Sequence, residues 1–410
     1  MLGQHAWIEN IHMKKVKIIN GQIITPYRII KNGTLLVNNG QIEAISATAI
    51  ETSGYEVIDA KGNYVSPGFI DIHIHGGGGH DFMDGTEEAY LKIAELHARY
   101  GTTAMAPTTL TCAREDLFKA IDLYRSASLK NTRGAQFIGM HLEGPYFALS
   151  QSGAQDPRYI RNPDVAEYRA VIAHGGDVIK RWSVAPELPG AVEMGKYLKA
   201  HGIIAAIAHT DAIYEEVLEA VENGYSLATH LYSAMSGVTR RNTYRYAGVI
   251  ESAFLIDAMD VEIIADGIHL PAPLLKLVCK IKSADSIALI TDAMRGAGMP
   301  EGESVLGNKD TGLKVLIENG VAIMADRSSF AGSVATTDRL IRTMTQQAEV
   351  PLVTAVRMLS GTPAKIMGIA ATKGSLTVGK DADVLIFDEN ISIKVTMVNG
   401  NIVYTSTDFA

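Results

Sequence analysis

Residues 64–79 read Tyr64-Val-Ser-Pro-Gly-Phe-Ile-Asp-Ile-His-Ile-His75-Gly-Gly-Gly-Gly79. Alternate residues of a strand point to one face, so His73 and His75 can grip a single metal ion from one strand. The apolar run ahead of them reads as a buried strand. The four glycines after them cannot prolong it and predict a loop. Both histidines therefore stand where a strand ends and a loop opens, the place where α/β barrels keep their chemistry. A pair of surface histidines would look the same in isolation, so the rest of the chain must decide.

Working outward, about 66–367 alternates apolar strands with helical stretches, the pattern of parallel βα units. Eight strands are predicted near 66–75, 102–109, 136–143, 179–186, 203–209, 225–230, 260–266 and 286–292. Helices are predicted over Glu87–Tyr100, Arg114–Ala127 and Ile213–Asn223. This is the α/β pattern of a (β/α)8 TIM-like barrel. The flanks differ. Residues 13–65 hold short strands with Asn20-Gly21, Asn32-Gly33 and Asn39-Gly40 as turn signals, and 368–410 returns to the same style with Asn399-Gly400. A small β-sandwich domain assembled from both termini is expected, with 1–12 as a leader ahead of a fresh start at Met13.

Four more predicted strands deliver chemistry at their C-terminal ends. Gln136-Phe-Ile-Gly-Met-His-Leu-Glu143 ends on a carboxylate, as does Ile287-Ala-Leu-Ile-Thr-Asp292, while His209 and His230 close two others. One such residue could be a cap or a loop hydrogen bond; five strands delivering His, Glu or Asp to one rim point to a metallohydrolase. Imidazole and carboxylate suit zinc, and also iron, cobalt or manganese. Glu143 can bridge two ions, with His73 and His75 on one side and His209 and His230 on the other. Asp292 is then the proton acceptor for a water activated by the metal. His141, two residues before Glu143, is expected to pack beneath the metals. His97, His174 and His201 are expected at the surface, and His80 and Asp81 in a solvated loop.

Composition agrees with a globular enzyme: 47% hydrophobic and 20% charged residues. The net charge of −8 argues against nucleic acid as a partner. No apolar run is long enough to span a membrane, and no secretory signal is evident. Two cysteines, Cys112 and Cys279, cannot form a disulfide framework, so a cytoplasmic location is expected.

With these residues in place, the chain from about residue 14 onward resembles the amidohydrolase superfamily and, within it, the N-acetylglucosamine-6-phosphate deacetylases. The resemblance rests on Pro67–Gly76, His141-Leu-Glu-Gly-Pro-Tyr146, Ala208-His-Thr-Asp211, Ala228-Thr-His-Leu-Tyr-Ser-Ala-Met235, Ile264-Ala-Asp-Gly-Ile-His269, Thr291-Asp-Ala293 and Ala331-Gly-Ser333. The tail Gly374–Leu385 is similar to the superfamily's closing strand pair. The resemblance implies hydrolysis of the acetamide of an amino-sugar 6-phosphate. It also implies one or two divalent metals per subunit, two being favoured because His73 and His75 are both kept. It further implies sugar contact by His269, substrate binding by Ser233 and Ala234, and a homodimer in which Arg241 reaches the phosphate across the interface. Three departures concern the substrate rather than the metals. Ser233 stands where the family has asparagine, Gln155 where some members place a histidine against the acetyl carbonyl, and 240–246 is unusually rich in arginine and tyrosine. The galactosamine epimer and a cyclic-amide hydrolase or deaminase remain as alternatives. The latter often bridges its metals with a lysine of strand four, whereas Lys180 lies at the wrong end of that strand. A non-catalytic relative is disfavoured because all five ligands and Asp292 are present.

Overall fold

The computed structural model describes residues 15–409; the leader assigned to 1–12 lies outside them. Eight parallel barrel strands follow in chain order. They are Phe69–Ile74, Thr102–Thr109, a third in two pieces (Gln136–Phe137 and Met140–Glu143), Ile179–Val184, Ile204–Ile207, Tyr225–Ala228, Asp260–Ile264 and Ile287–Ile290. Each pairs in parallel with its neighbours from the first to the eighth. The circle closes where Asp292 N donates to His73 O at 2.9 Å and the Thr291 hydroxyl donates to Asp71 at 2.5 Å. Burial pushes the Asp71 carboxyl up to about 7, against the hydrogen bonds from Thr291 and His73. The predicted helices occur as Glu87–Ala98, Arg114–Lys130 and Tyr214–Glu222, the first capped by the Thr86 hydroxyl.

Two local features depart from the sequence reading, both through glycine. The third strand is broken at Gly139, whose φ of +113° is closed to residues with a Cβ. A Cβ there would lie 2.1 Å from Lys180 Cγ. Asn20-Gly21 and Asn32-Gly33 are not turns. They lie inside Val16–Ile24 and Ile29–Asn38, where Gly21 pairs with Gly33 across register shifts. Asn20 and Asn32 take left-handed backbone (φ +56° and +51°), which bulges the strands without ending them. A Cβ on Gly21 would come within 2.5 Å of Val65 Cγ2, so glycine is needed for packing there. Asn39-Gly40 and Asn399-Gly400 do form turns.

The terminal strands make one eight-stranded sheet, 401–405 at one edge and 41–46 at the other, with Glu56–Asp59 beside Val16–Ile24. The sheet folds over so that its 41–46 edge meets the segment leading into the interior strand Val384–Phe387. Ile42 N donates to Lys380 O at 2.8 Å and Ala382 N to Gly40 O at 2.8 Å. Val37, Ile42, Val384 and Met397 share the core between its two halves. Two antiparallel additions escaped the sequence reading. One is the hairpin Thr239–Arg241 with Tyr244–Tyr246; the other is the three-stranded insert Gly302–Leu306, Leu313–Glu318 and Val321–Met324 after the eighth barrel strand.

Candidate metal centre

His73 and His75 leave the first barrel strand on its buried face, as the alternation requires. Gly76-Gly77 then pair with His80-Asp81 in a tight hairpin, turned at Gly78 and Gly79 (φ +62° and +84°). The fifth, sixth and eighth strands stop earlier than expected, at Ile207, Ala228 and Ile290. His209, His230 and Asp292 follow two residues later in left-handed backbone, with φ of +46°, +33° and +48°. Non-glycine residues seldom hold that conformation, and it clusters where side chains are aimed at a common point.

The six side chains converge as two buried triads: His73, His75 and Asp292, and Glu143, His209 and His230, each with its donor atoms within 4.8 Å of one another. Glu143 joins them. Its Oε1 lies 3.1 Å from His230 Nε2, 3.4 Å from His209 Nε2 and 3.5 Å from His73 Nε2, and its Oε2 lies 3.2 Å from His75 Nε2. Asp292 Oδ1 sits 3.2 Å from His75 Nε2 and 3.5 Å from His73 Nε2. Burial pulls the His73 imidazolium down, but Glu143 and Asp292 outweigh it and raise the ring to about 9. Burial likewise opposes charge on Glu143, yet the surrounding histidines hold its carboxyl well below the ordinary range. Asp292 is held low by the same balance, His73 and His75 overcoming burial.

The outer nitrogens decide which lone pairs face inward. His73 Nδ1 meets Glu262 Oε2 at 3.4 Å, His75 Nδ1 meets Thr108 O at 3.3 Å, and His209 Nδ1 meets Gln151 O at 2.7 Å. Acceptors at Nδ1 fix the proton there and leave each Nε2 free to coordinate, the usual support of a metal-binding histidine. Glu262 is itself gripped by Arg181, with Nη2 to Oε2 at 2.7 Å, and Arg181 also donates to Thr229 Oγ1 at 2.8 Å. The donor set of imidazole nitrogens and carboxylates suits divalent zinc, iron, cobalt or manganese. Arg181 and Glu262 went unread in the sequence, where each is only a charged residue inside a strand; their full burial is a property of the folded barrel. His141 packs under the centre, edge-on to His73 with centroids 4.6 Å apart and Nε2 on Ser183 Oγ at 2.7 Å. Burial and Arg181 keep its ring well below the usual histidine range.

Two surface expectations need correcting. His97 is fully buried: it donates from Nε2 to Gly76 O at 3.0 Å, and burial depresses its ring to about 4. A Cβ on Gly77 would meet that nitrogen, so helix and glycine hairpin close directly on each other. Asp81 is also buried. It accepts from Met83 N and Gly307 N, tying the hairpin to the insert. Arg295 does the same through Asp84 at 2.6 Å and Gly307 O at 2.7 Å.

The triads open into a cavity of about 310 Å³ that Gln155, Ser233, Ala234 and His269 also line. The Gln155 amide is already engaged: its Oε1 accepts from Thr111 N and its Nε2 donates to Glu143 Oε2, both at 2.8 Å. His269 Nδ1 pairs with Asp266 Oδ2 at 2.7 Å, and its ring lies 4.5 Å from that of Phe330. Arg241 is not brought to this cavity by its own chain. It is exposed on the hairpin, over the Tyr246 ring at 5.6 Å.

Comparison with known proteins places this geometry. The profile of the Amidohydrolase family matches residues 64–403. An N-acetylglucosamine-6-phosphate deacetylase of Lysinibacillus sphaericus is 35% identical over 366 residues, covering 89% of this chain and 92% of that protein. An N-acetylgalactosamine-6-phosphate deacetylase of Escherichia coli O157:H7 is 30% identical, covering 86% and 91%. A mutant N-acetyl-D-glucosamine-6-phosphate deacetylase from Mycobacterium smegmatis, solved in complex with N-acetyl-D-glucosamine-6-phosphate, superposes with a TM-score of 0.88. It is 28% identical, and the match covers 96% of this chain and 100% of that one.

Proposed function

Since this chain belongs to the amidohydrolase family and, within it, to the N-acetylglucosamine-6-phosphate deacetylases, we propose that it hydrolyses N-acetylglucosamine 6-phosphate to glucosamine 6-phosphate and acetate. The observation that carries this reading is the pair of triads joined by Glu143 at the floor of one cavity. Glu143, His209 and His230 would hold one divalent ion, and His73 and His75 would offer ligands for a second. Zinc fits the donors first, then iron, cobalt or manganese. When bound, such an ion supplies Lewis acidity, lowering the pKa of water and polarising a carbonyl.

The chain's own residues do the rest. Asp292 accepts the proton of the attacking water and returns it to the sugar nitrogen as the C–N bond breaks. Its left-handed backbone fixes the carboxylate against His73 and His75. His269, with Nδ1 committed to Asp266, has Nε2 left for a sugar hydroxyl. Gln155 lines the acyl side while steadying Glu143. Ser233 and Ala234 face the phosphate, and Arg241 reaches it from the second subunit of a homodimer, where a guanidinium fork matches phosphate geometry.

The galactosamine epimer is the second reading, supported by the Escherichia coli relative. No helix among the described residues is long and apolar enough to cross a membrane. A cytoplasmic location fits the two free cysteines.

Acetate release tests the reading directly. Protein loaded with zinc, iron or manganese is offered both N-acetyl amino-sugar 6-phosphates and both unphosphorylated sugars. Turnover of a phosphorylated sugar alone is expected, and the better epimer identifies the substrate. A metal-loaded protein that releases acetate from none of the four would refute it.

A further inference from the structure

We propose that Leu110, Ala154 and Leu306 form the wall that restricts the N-acyl group of the substrate to a short chain, and that a cavity behind this wall is where a longer chain would go. The inference rests on the deacetylase reading, since only an N-acyl substrate has such a chain to place. A second cavity of about 120 Å³ adjoins the reaction cavity. The two share these three residues and no others. Phe82, Met83 and Leu313 line the second cavity together with polar groups such as Asp116, Lys119 and Arg158. Leu306 is 3% exposed and packs with Met294, Val315 and Ile317, and Leu110 and Ala154 lie against the same cluster. All three residues are apolar and belong to one packed cluster.

Its position follows from the hydrogen bonds of Gln155. That side chain joins Thr111 N to Glu143 Oε2. Leu110 precedes Thr111 and Ala154 precedes Gln155, so the wall begins one residue from the groups that fix the Glu143 carboxylate. Much of the remaining lining offers polar groups, from Tyr232, Ser233, His269 and Ser329, which suit a polyhydroxylated sugar. With the carbonyl carbon at the triads and the sugar against the polar groups, the alkyl end of the acyl group is left to face Leu110, Ala154 and Leu306. Hydrolysis is unchanged in kind. Water adds to the carbonyl carbon, the C–N bond breaks, the nitrogen keeps a proton, and a carboxylate and a free amine result. Only the length of the departing carboxylate is at issue.

Leu110→Ala and Leu306→Ala, made separately, test the wall. Leu110 is only half buried, so its variant stands even where truncation of Leu306 unfolds the chain. The readout is kcat/KM for release of the free amine from N-acetyl- and N-butanoylglucosamine 6-phosphate, with melting curves to establish folding. The wild type is expected to favour acetyl by roughly 100-fold. Either folded variant should raise the butanoyl-to-acetyl ratio by roughly tenfold or more, since each methylene in a fitted pocket is worth about that. A wild type that takes butanoyl as readily as acetyl overturns the proposal, as do folded variants whose ratio does not move. A metal-loaded wild type that releases amine from neither substrate, nor from N-acetylgalactosamine 6-phosphate, overturns the deacetylase reading and this inference with it.

Discussion

Asp292 and Glu262 are two carboxylates set on opposite sides of the same histidine. Asp292 Oδ1 faces the cavity within 3.5 Å of both strand-one histidines, whereas Glu262 holds the rear nitrogen of His73 and never reaches the cavity. Asp292→Asn should keep its metal, measured by elemental analysis, while kcat falls roughly 10²–10⁴-fold, the usual loss of a proton-transfer group. Near-normal turnover would remove Asp292 from the chemistry. Glu262→Gln should leave substrate KM little changed but weaken metal affinity by roughly 10–100-fold, as losses behind a ligating histidine do. Competition with a chelator reads this without relying on turnover. Sequence made Asp292 legible because it closes an apolar strand. Glu262 stayed hidden because a buried charge inside a strand gains meaning only once its partner Arg181 is seen across the barrel.

At the scale of elements, the first helix and the glycine hairpin are bound through His97. The folded chain keeps this ring neutral down to about pH 4, whereas an unfolded chain protonates it near its ordinary 6.5. The unfolded state thus binds the extra proton between those values, so the stability His97 provides is full above about 6.5 and drains away as pH falls toward 4. The slope is about 1.4 kcal/mol per pH unit for one such group. Denaturant midpoints at pH 7 and pH 5 should separate less in His97→Gln than in the wild type; equal separations would show that His97 does not set the acid sensitivity. The break in the third barrel strand makes a second case. Gly139→Ala forces a Cβ into left-handed backbone and onto Lys180, so a loss of roughly 1–3 kcal/mol is expected in chemical denaturation. A neutral substitution would mean that the break relaxes freely.

At the scale of the whole molecule, Arg241 is the residue that one chain leaves outside its own site. Exposed Tyr244 (72%) and Val238 (60%) beside it give the hairpin an apolar surface suited to a second subunit. If Arg241 acts across a two-fold interface, Arg241→Ala and Asp292→Asn should complement one another. Mixed dimers would hold one site with both residues intact, restoring about a quarter of wild-type activity on statistical assembly. No recovery after subunit exchange, checked by chromatography of differently tagged chains, would place Arg241 in its own subunit's site or outside the reaction.

The eight-strand barrel, the strands at both termini and the residues of the candidate centre were legible in the sequence. Strand period, glycine punctuation and the residue closing each strand are local properties, and local properties are written in order along a chain. Tertiary structure alone decided the rest. It placed Asn20-Gly21 and Asn32-Gly33 inside strands, because Gly21 and Gly33 meet only when two strands pair. It buried His97 and Asp81, because the glycine hairpin closes on a helix and an insert distant in sequence. It gave His209, His230 and Asp292 their left-handed backbone, because three separate strands must aim at one point. Burial and convergence depend on which segments meet, and that is fixed only when the barrel closes.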